Sequence, residues 1–221
     1  MSARAFFDAI ASRYDRAYAP EARDSRARMR RVLAELPPKS RVLDLGVGTG
    51  RELSALLDAG HAPTGLDASP EMLARCARRA RPVPLVLADF WDALPFGDAT
   101  FDAAVALHGM LAHPPNADAS AHARLGAELA RVLAPNGVFV AEVPSRAWLE
   151  RVASGGEVYD GDRAVRRTGD DTCVFEDLVN GASIVAWIPP DARWSSLLGP
   201  RFAVTATSFG DELLVVARRA R

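Results

Sequence analysis

Hydrophobic positions first recur along the chain at helical spacing. Within residues 1–38, Met29, Val32 and Leu36 follow this spacing and predict helices that end at the two prolines 37–38. Beyond these prolines, short apolar runs alternate with helical patterns. Strands that are separated by helices predict a parallel sheet covered on both faces.

Five apolar runs before residue 144 predict strands, and two runs near the C-terminus predict an antiparallel pair that completes the sheet. These runs are 41–45, 62–67, 83–88, 101–107, 138–143, 202–207 and 213–216. We therefore expect an α/β fold with a doubly wound, mostly parallel sheet of seven strands and an antiparallel strand at one edge. Two further runs, 173–179 and 183–188, flank Asn180-Gly181, which predicts a hairpin.

The length of 221 residues predicts a single domain over 1–221. We divide it into N-terminal helices (1–38), a core (41–143), a segment 144–190, and a closing helix with the strand pair (191–221). An insertion as long as 144–190 in a compact domain is usually functional.

Segment 144–190 is therefore interpreted as a substrate cap. We expect Trp148, Tyr159 and Trp187 to shape the pocket for the substrate. The alternative is that these side chains only cover the hydrophobic edge of the sheet.

Composition and charge exclude several classes of protein. The net charge of −1 argues against nucleic acid as the main partner, because phosphate binding needs a basic surface. No run approaches the roughly 18 apolar residues of a membrane span, and residues 1–10 do not resemble a signal peptide. The two cysteines, Cys76 and Cys173, fit a reducing cytoplasm. Lys39 is the only lysine and alanine is abundant, a bias typical of a bacterial protein.

The segment Asp44-Leu45-Gly46-Val47-Gly48-Thr49-Gly50 connects a predicted strand to a predicted helix. Glycines at this position allow the backbone to approach a ligand closely. Ligands of open α/β sheets bind at the carboxyl ends of the strands, where this loop lies. A purely structural turn is the alternative interpretation.

The glycine spacing differs from that of a dinucleotide site. Counted from Gly46, the sixth position is Arg51, and Gly50 falls at the fifth. Asp67 ends the second strand 21 residues after Gly46, where its carboxylate can accept hydrogen bonds from both ribose hydroxyls, and Asp89 follows the third strand. The loop lacks the lysine and hydroxyl pair of a nucleotide phosphate loop. The pattern favours a nucleoside that carries no polyphosphate.

Several segments together resemble the class I S-adenosylmethionine-dependent methyltransferases. Val42–Gly50 is similar to the first motif of this family, and Gly65–Leu73 is similar to the second. Ala88-Asp89 and Leu129–Leu133 follow in the family's order. The resemblance covers about residues 41–143 and implies the Rossmann-like methyltransferase fold, with S-adenosyl-L-methionine as the cofactor.

The resemblance also implies a set of cofactor-binding residues. The three loop glycines would lie beneath the methionine part, Asp67 would hold the ribose, and Asp89 would accept a hydrogen bond from the adenine amino group. Asp44 would orient the loop or meet the amino group of the cofactor. The full set is Tyr14, Asp44, Gly46, Gly48, Gly50, Asp67, Ala68, Met72, Asp89, Phe90 and Leu107.

His108 follows the fourth strand, where the resemblance places the methyl group of the cofactor. A neutral imidazole there would take a proton from a substrate hydroxyl or amine, and we expect His108 to be the catalytic residue. A histidine that only lines the pocket is the alternative. The other histidines show no spacing typical of a metal site, so we expect no metal.

The sequence therefore predicts an enzyme that transfers a methyl group from S-adenosylmethionine to a small molecule. We expect neither nucleic acid nor a membrane as partner, and the oligomeric state stays open. Two alternatives remain at this point. One is an NAD-dependent oxidoreductase with an altered glycine loop, which Arg51 at the sixth position disfavours. The other is a non-catalytic protein that binds S-adenosylmethionine or a partner.

Overall fold

A computed structural model of the protein describes residues 1–18, 25–79, 81–115, 118, 120–153, 158–159 and 162–220. For residues 25, 153, 158 and 159 it describes the backbone alone. Among the helices of this part of the chain, none combines the length and the hydropathy needed to cross a membrane.

The main sheet contains seven strands. They are β1 (Arg41–Leu45), β2 (Ala62–Asp67), β3 (Leu85–Leu87), β4 (Phe101–Ala106), β5 (Leu133–Pro144), β10 (Phe202–Phe209) and β11 (Glu212–Arg219), in the spatial order β10-β11-β5-β4-β1-β2-β3. β11 pairs antiparallel with both of its neighbours, while β1 to β5 pair in parallel. The expected fold class is confirmed, and the reversed strand β11 lies one position inside the edge strand β10.

Helices cover both faces of this sheet. They are α1 (Ala3–Ile10), α2 (Tyr14–Ala17), α3 (Ser25–Glu35), α4 (Leu53–Asp58), α5 (Pro70–Arg79), α6 (Ser120–Val132), α7 (Arg146–Ala153) and α8 (Trp194–Leu197). α5 illustrates how the sequence sets a helix start. The Ser69 hydroxyl accepts a hydrogen bond from the Met72 N–H at 3.0 Å, and Pro70 occupies the first helical position.

Both faces of the central strands are buried, as expected for a parallel sheet. Along β4, Ala103 and Val105 pack on the face beneath α3, while Ala104 and Ala106 pack on the opposite face with α6. Because successive side chains point to opposite faces, the apolar run of β4 supplies both layers of the core. Because β1, β2 and β4 run parallel, their carboxyl ends meet at one edge of the sheet.

Segment 144–190 forms α7 and a second, antiparallel sheet. This sheet has the order β6-β7-β8-β9, with β6 (Val158–Tyr159), β7 (Arg163–Arg167), β8 (Thr172–Asp177) and β9 (Ser183–Trp187). The hairpin predicted at Asn180-Gly181 joins β8 to β9, and Gly181 has the positive φ of 70° that this turn requires.

Candidate functional site at the carboxyl edge of the sheet

The glycine loop after β1 is held against the end of β2 by its backbone. The N–H groups of Gly46 and Val47 both donate to the carbonyl of Leu66, at 2.8 and 3.0 Å. Gly46, Gly48 and Gly50 have φ values of 74°, 53° and 76°, which other residues adopt only at an energetic cost. The turn itself therefore favours glycine at all three positions.

The carboxylate of Asp67 fastens the end of β2 to this loop. Its Oδ2 accepts a hydrogen bond from the Gly48 N–H, and its Oδ1 accepts one from the Ser69 N–H, each at 2.8 Å. Burial raises the pKa of Asp67, although these two bonds act in the opposite direction. Each carboxylate oxygen has two acceptor sites, so Asp67 has the capacity to accept further bonds from a ligand hydroxyl.

A pocket lies between the glycine loop and the N-terminal helices, and we call it the loop pocket. Six of the predicted site residues line it together: Tyr14, Asp44, Gly46, Gly48, Leu107 and His108. The hydroxyl of Thr49 donates to Asp15 at 2.7 Å, and that of Ser69 donates to Asp8 at 2.5 Å. These two bonds fasten α1 and α2 over the strand ends.

Asp44 is a buried acid at the base of the loop pocket. Burial, together with the negative charge of Glu52, raises the pKa of Asp44 to about 8. The neutral form therefore predominates near neutral pH while no cation is present. A ligand ammonium group at this position would favour the charged form of Asp44, because opposite charges stabilise each other strongly in a buried site.

His108 occupies the end of β4 with a positive φ of 57°, an uncommon conformation for a non-glycine residue. Its Nε2 lies 2.7 Å from Oε1 of Glu52, at the start of α4. Burial acts to lower the pKa of His108, but the hydrogen bond and charge of Glu52 outweigh it and the net pKa is raised. The pKa of Glu52 is lowered, because the bond to His108 and its charge together outweigh burial. The two side chains form a hydrogen-bonded pair, which becomes an ion pair when His108 is protonated.

A second acidic side chain holds the backbone of His108. Oε2 of Glu142, a fully buried residue of β5, accepts the His108 N–H at 3.2 Å. Oε1 of Glu142 accepts a hydrogen bond from Nε of Arg28 at 2.5 Å, and Arg28 also contacts Glu212 at 3.2 Å. The charge of Glu142 is therefore compensated, as a buried carboxylate requires.

A larger opening, which we call the lateral cleft, begins at His108 and has a volume of about 730 Å³. Its walls come from α2, α3 and the β10–β11 hairpin on one side and from segment 144–190 on the other. Its lining includes Tyr18, Arg28, Arg31, Trp148, Arg151, Arg163, Phe175, Phe209, Asp211 and Glu212. His108 lines both the loop pocket and the lateral cleft.

The remaining predicted cofactor residues lie outside the lining of the loop pocket. Ala68 follows β2 and is half-buried, and Asp89 is exposed, with Oδ1 accepting the Trp91 N–H at 3.0 Å. Met72 is buried in a cluster with Phe6 and Ile10 of α1. Phe90 is buried in the main core beside Trp91, with their ring centroids 4.9 Å apart. Packing accounts for Met72 and Phe90 in this structure.

The three aromatic residues expected to shape a substrate pocket have different positions. Trp148 on α7 lines the lateral cleft and stacks with Phe175 at 5.8 Å between ring centroids. Trp187 is buried in the main core, where its ring lies 5.3 Å from that of His122, so its expected place in the pocket wall is wrong. The side chain of Tyr159 lies outside the described residues.

Sequence reasoning missed Glu52 and Glu142. One signal was available for Glu142, because an acidic residue stands within the continuous apolar run 138–143. A carboxylate in such a strand must find a buried partner. Glu52 follows the glycine loop by two residues and carries no comparable signal. Within the part of the chain that the structure covers, no group of three histidine, cysteine or acidic side chains is arranged to hold a metal ion.

Comparison with known proteins decides the family. Residues 42–137 match the methyltransferase domain family. Residues 42–137 therefore belong to the class I S-adenosylmethionine-dependent methyltransferases. A Cβ placed on Gly48 would meet only the Gly46 carbonyl oxygen, at 3.9 Å, so the glycine loop leaves open space where a ligand such as the cofactor of this family could approach its backbone. Asp44 and Asp67 supply the carboxylates beside that space.

Individual methyltransferases are similar to parts of this chain. Over 139 residues the chain is 32% identical to the demethylmenaquinone methyltransferase of Renibacterium salmoninarum, covering 62% of this chain and 56% of the relative. Over 66 residues it is 39% identical to the bovine (Bos taurus) 18S rRNA (guanine-N(7))-methyltransferase, covering 30% and 24%. Both matches span less than two thirds of the relative.

A solved structure extends the likeness to the whole fold. The S-adenosylmethionine-bound CalS10, an amino pentose methyltransferase from Micromonospora echinaspora, superposes with a TM-score of 0.69. The two chains are 22% identical, and the alignment covers 91% of each. At this level of identity the comparison supports the fold of the methyltransferase domain.

Proposed function

We propose that this protein transfers the methyl group of S-adenosylmethionine to a small-molecule acceptor. The observation that carries the proposal is the position of His108, which lines both the loop pocket and the lateral cleft. In this proposal the cofactor occupies the loop pocket and the acceptor occupies the lateral cleft. The methyl group would then pass between them beside the imidazole.

The core residues of this chain bind the cofactor and orient it. Asp67 accepts the ribose hydroxyls, Asp44 meets the amino group, and the glycine loop 46–50 lies beneath the methionine part. The bound cofactor supplies an activated methyl group on a sulfonium. Holding an acceptor atom in line with that group contributes about 7–11 kcal/mol to lowering the barrier when the geometry is well kept. Binding and alignment therefore account for most of the work done by the protein.

His108 acts as the base when the acceptor must lose a proton. Because Nε2 is engaged by Glu52, Nδ1 is the atom that would accept the proton. A carboxylate that holds one imidazole nitrogen fixes the orientation of the ring and raises the basicity of the other nitrogen. In this arrangement Glu52 positions His108 and Glu142 holds its backbone.

Two observations support a small acceptor. The net charge of −1 is unfavourable for a protein that works mainly on nucleic acid. Segment 144–190 forms one wall of the lateral cleft, whose size suits a small molecule. The names of the demethylmenaquinone and amino pentose methyltransferases also indicate small acceptors. One named relative methylates rRNA, which makes RNA the second candidate substrate.

Transfer of a labelled methyl group from S-adenosylmethionine tests the proposal. The assay compares a panel of small metabolites with purified ribosomal RNA. We expect label in a small molecule and background counts in RNA. His108→Asn keeps a residue that tolerates the positive φ, so it should fold and bind S-adenosylhomocysteine while losing most of the rate. Label in RNA alone would contradict the small-molecule proposal.

A further inference from the structure

The charges that face the lateral cleft are unequal in number. Four arginines line it, and two carboxylates face them: Arg28, Arg31, Arg151 and Arg163, with Asp211 and Glu212. Asp211 is paired with Arg151, and Glu212 is paired with Arg28. Burial, together with a hydrogen bond that the protonated Glu212 donates to Glu142, raises the pKa of Glu212 to about 7, which reduces its negative charge near neutral pH. The lining of the cleft therefore contains more arginines than carboxylates, and Arg28 is also paired with the buried Glu142.

Arg31 contributes most directly to this excess. It is an exposed residue on α3, one turn after Arg28, and its guanidinium carbon lies 4.2 Å from the ring centroid of Phe209. Among the described residues, no carboxylate lies within 4.0 Å of its nitrogens. Stacking on an aromatic face leaves the N–H donors at the edge of a guanidinium available. Arg31 therefore has N–H donors available for an anion that lies in the cleft.

The aromatic residues of the lateral cleft complement this arginine. Trp148 and Phe175 are stacked with an interplanar angle of 10°, and Phe209 lies beneath Arg31. Tyr18 supports the guanidinium of Arg163, 3.7 Å from the ring centroid. Flat aromatic walls favour flat apolar ligands, because ring stacking adds to the burial of apolar area.

We propose that the lateral cleft selects acceptors that carry a carboxylate or phosphate group on an aromatic or other flat apolar frame. Arg31 binds the anionic group through its planar fork, which matches the two oxygens of such a group. The frame lies against Trp148 and Phe175, and the methyl-accepting atom faces His108. This inference rests on the proposed function for the role of His108, but the recognition of the anion by Arg31 is a separate property.

Binding of matched probe pairs tests this property without any methyl transfer. The pairs are 4-hydroxybenzoate with 4-hydroxybenzamide, and phenyl phosphate with phenol. Calorimetry measures the affinity of each probe for the full-length protein, with and without S-adenosylhomocysteine. We expect each anion to bind about tenfold or more tightly than its neutral partner, as a charged hydrogen-bonded contact would provide.

Arg31→Gln and Arg30→Gln form the matched comparison. Both arginines are exposed residues of α3, but only Arg31 lines the lateral cleft. The preference for the anion should disappear in Arg31→Gln and persist in Arg30→Gln, with both variants melting within a few degrees of the parent.

Several results would overturn this inference. They are equal affinity for the two members of every pair, equal loss of preference in both variants, and failure of every anion to bind. Salt-dependent binding of a short RNA hairpin that requires Arg31, without binding of the small anions, would assign the arginine to RNA instead. Anion selectivity without methyl transfer would keep this inference and refute the proposed function.

Discussion

Nε2 of His108 lies 2.7 Å from Oε1 of Glu52, and this contact joins the helix after the glycine loop to the end of β4. The two side chains lie 56 residues apart in the sequence. The net effect of Glu52 is a raised pKa for His108. In the proposed mechanism, His108 must lose its proton before it can accept one from a substrate.

Glu52→Gln should lower the pKa of His108, because the variant removes the charge that stabilises the imidazolium. NMR titration of the imidazole would measure this shift. The rate of methyl transfer, which we expect to rise with pH as His108 becomes neutral, should then rise at lower pH in the variant. A purely structural Glu52 would change thermal stability and leave the pH profile in place. An unchanged His108 titration would contradict the assigned pairing.

Asp44→Asn should stabilise the protein in the absence of ligand, and increasingly so as the pH rises. The folded protein keeps the Asp44 proton up to about pH 8, whereas an unfolded aspartate loses its proton near pH 4. The parent therefore loses stability between these two values, and the asparagine variant avoids that loss. Thermal melts at pH 5 and pH 8 measure the difference. A gap between the proteins that stays constant with pH would contradict the high pKa.

The same variant should bind S-adenosylhomocysteine more weakly than the parent does. Asparagine cannot supply the negative charge that we assign to the amino group of the ligand. Stronger folding combined with weaker binding would separate a ligand-binding role of Asp44 from a structural one. Equal or tighter binding would place the amino group elsewhere in the loop pocket.

Asp67→Asn should weaken S-adenosylhomocysteine binding by about tenfold or more, since hydrogen bonds to a charged group contribute about 1.5–3 kcal/mol each. Asparagine is the informative replacement, because its oxygen can still accept one of the two bonds from Gly48 and Ser69. Asp58→Asn is the matched control, because this exposed carboxylate at the end of α4 lines neither the loop pocket nor the lateral cleft. Unchanged affinity in a folded Asp67→Asn protein would place the ribose elsewhere.

Alanine at Gly46 and at Gly48 should have different effects on stability. Both substitutions impose a positive φ on alanine, which costs about 1–2 kcal/mol. A Cβ on Gly46 would also lie 2.7 Å from Cε of Met110, whereas a Cβ on Gly48 meets open space. Gly46→Ala should therefore unfold at a lower denaturant concentration than Gly48→Ala, and the gap between these two variants should shrink when both also carry Met110→Ala. Gly48→Ala should mainly reduce cofactor affinity.

Much of the fold and part of the site follow from sequence patterns alone. Apolar runs separated by helical patterns predict the parallel sheet, and parallel strands end at a common edge. For this reason Asp44, Asp67 and His108, each at or just beyond a strand end, belong to the same edge of the sheet, and Asp44 and His108 line the same pocket. The glycine spacing differs from that of a dinucleotide site, and for this reason the sequence favoured a nucleoside as the ligand.

The remaining parts of the fold and the site depend on contacts between segments that are distant in the sequence, and the spacing of residue types does not encode such contacts. Glu142 contacts Arg28, which lies 114 residues away in the sequence. The sequence offers other polar residues as possible partners for each of them. Met72 lies on the apolar face of a helix, and only the packing of α1 determines that this face contacts Phe6. β7 was missed because its strand pattern stands within a polar, glycine-rich stretch.

Calorimetric titration with S-adenosylhomocysteine and, separately, with NAD tests the central claim most directly. The loop pocket should bind S-adenosylhomocysteine in the micromolar range, which corresponds to about −8 kcal/mol, and should show no heat of binding with NAD. Asp67→Asn serves as the control that links the signal to this site. Binding of NAD without any response to S-adenosylhomocysteine would contradict the assignment of the loop pocket to the methyl-donor cofactor.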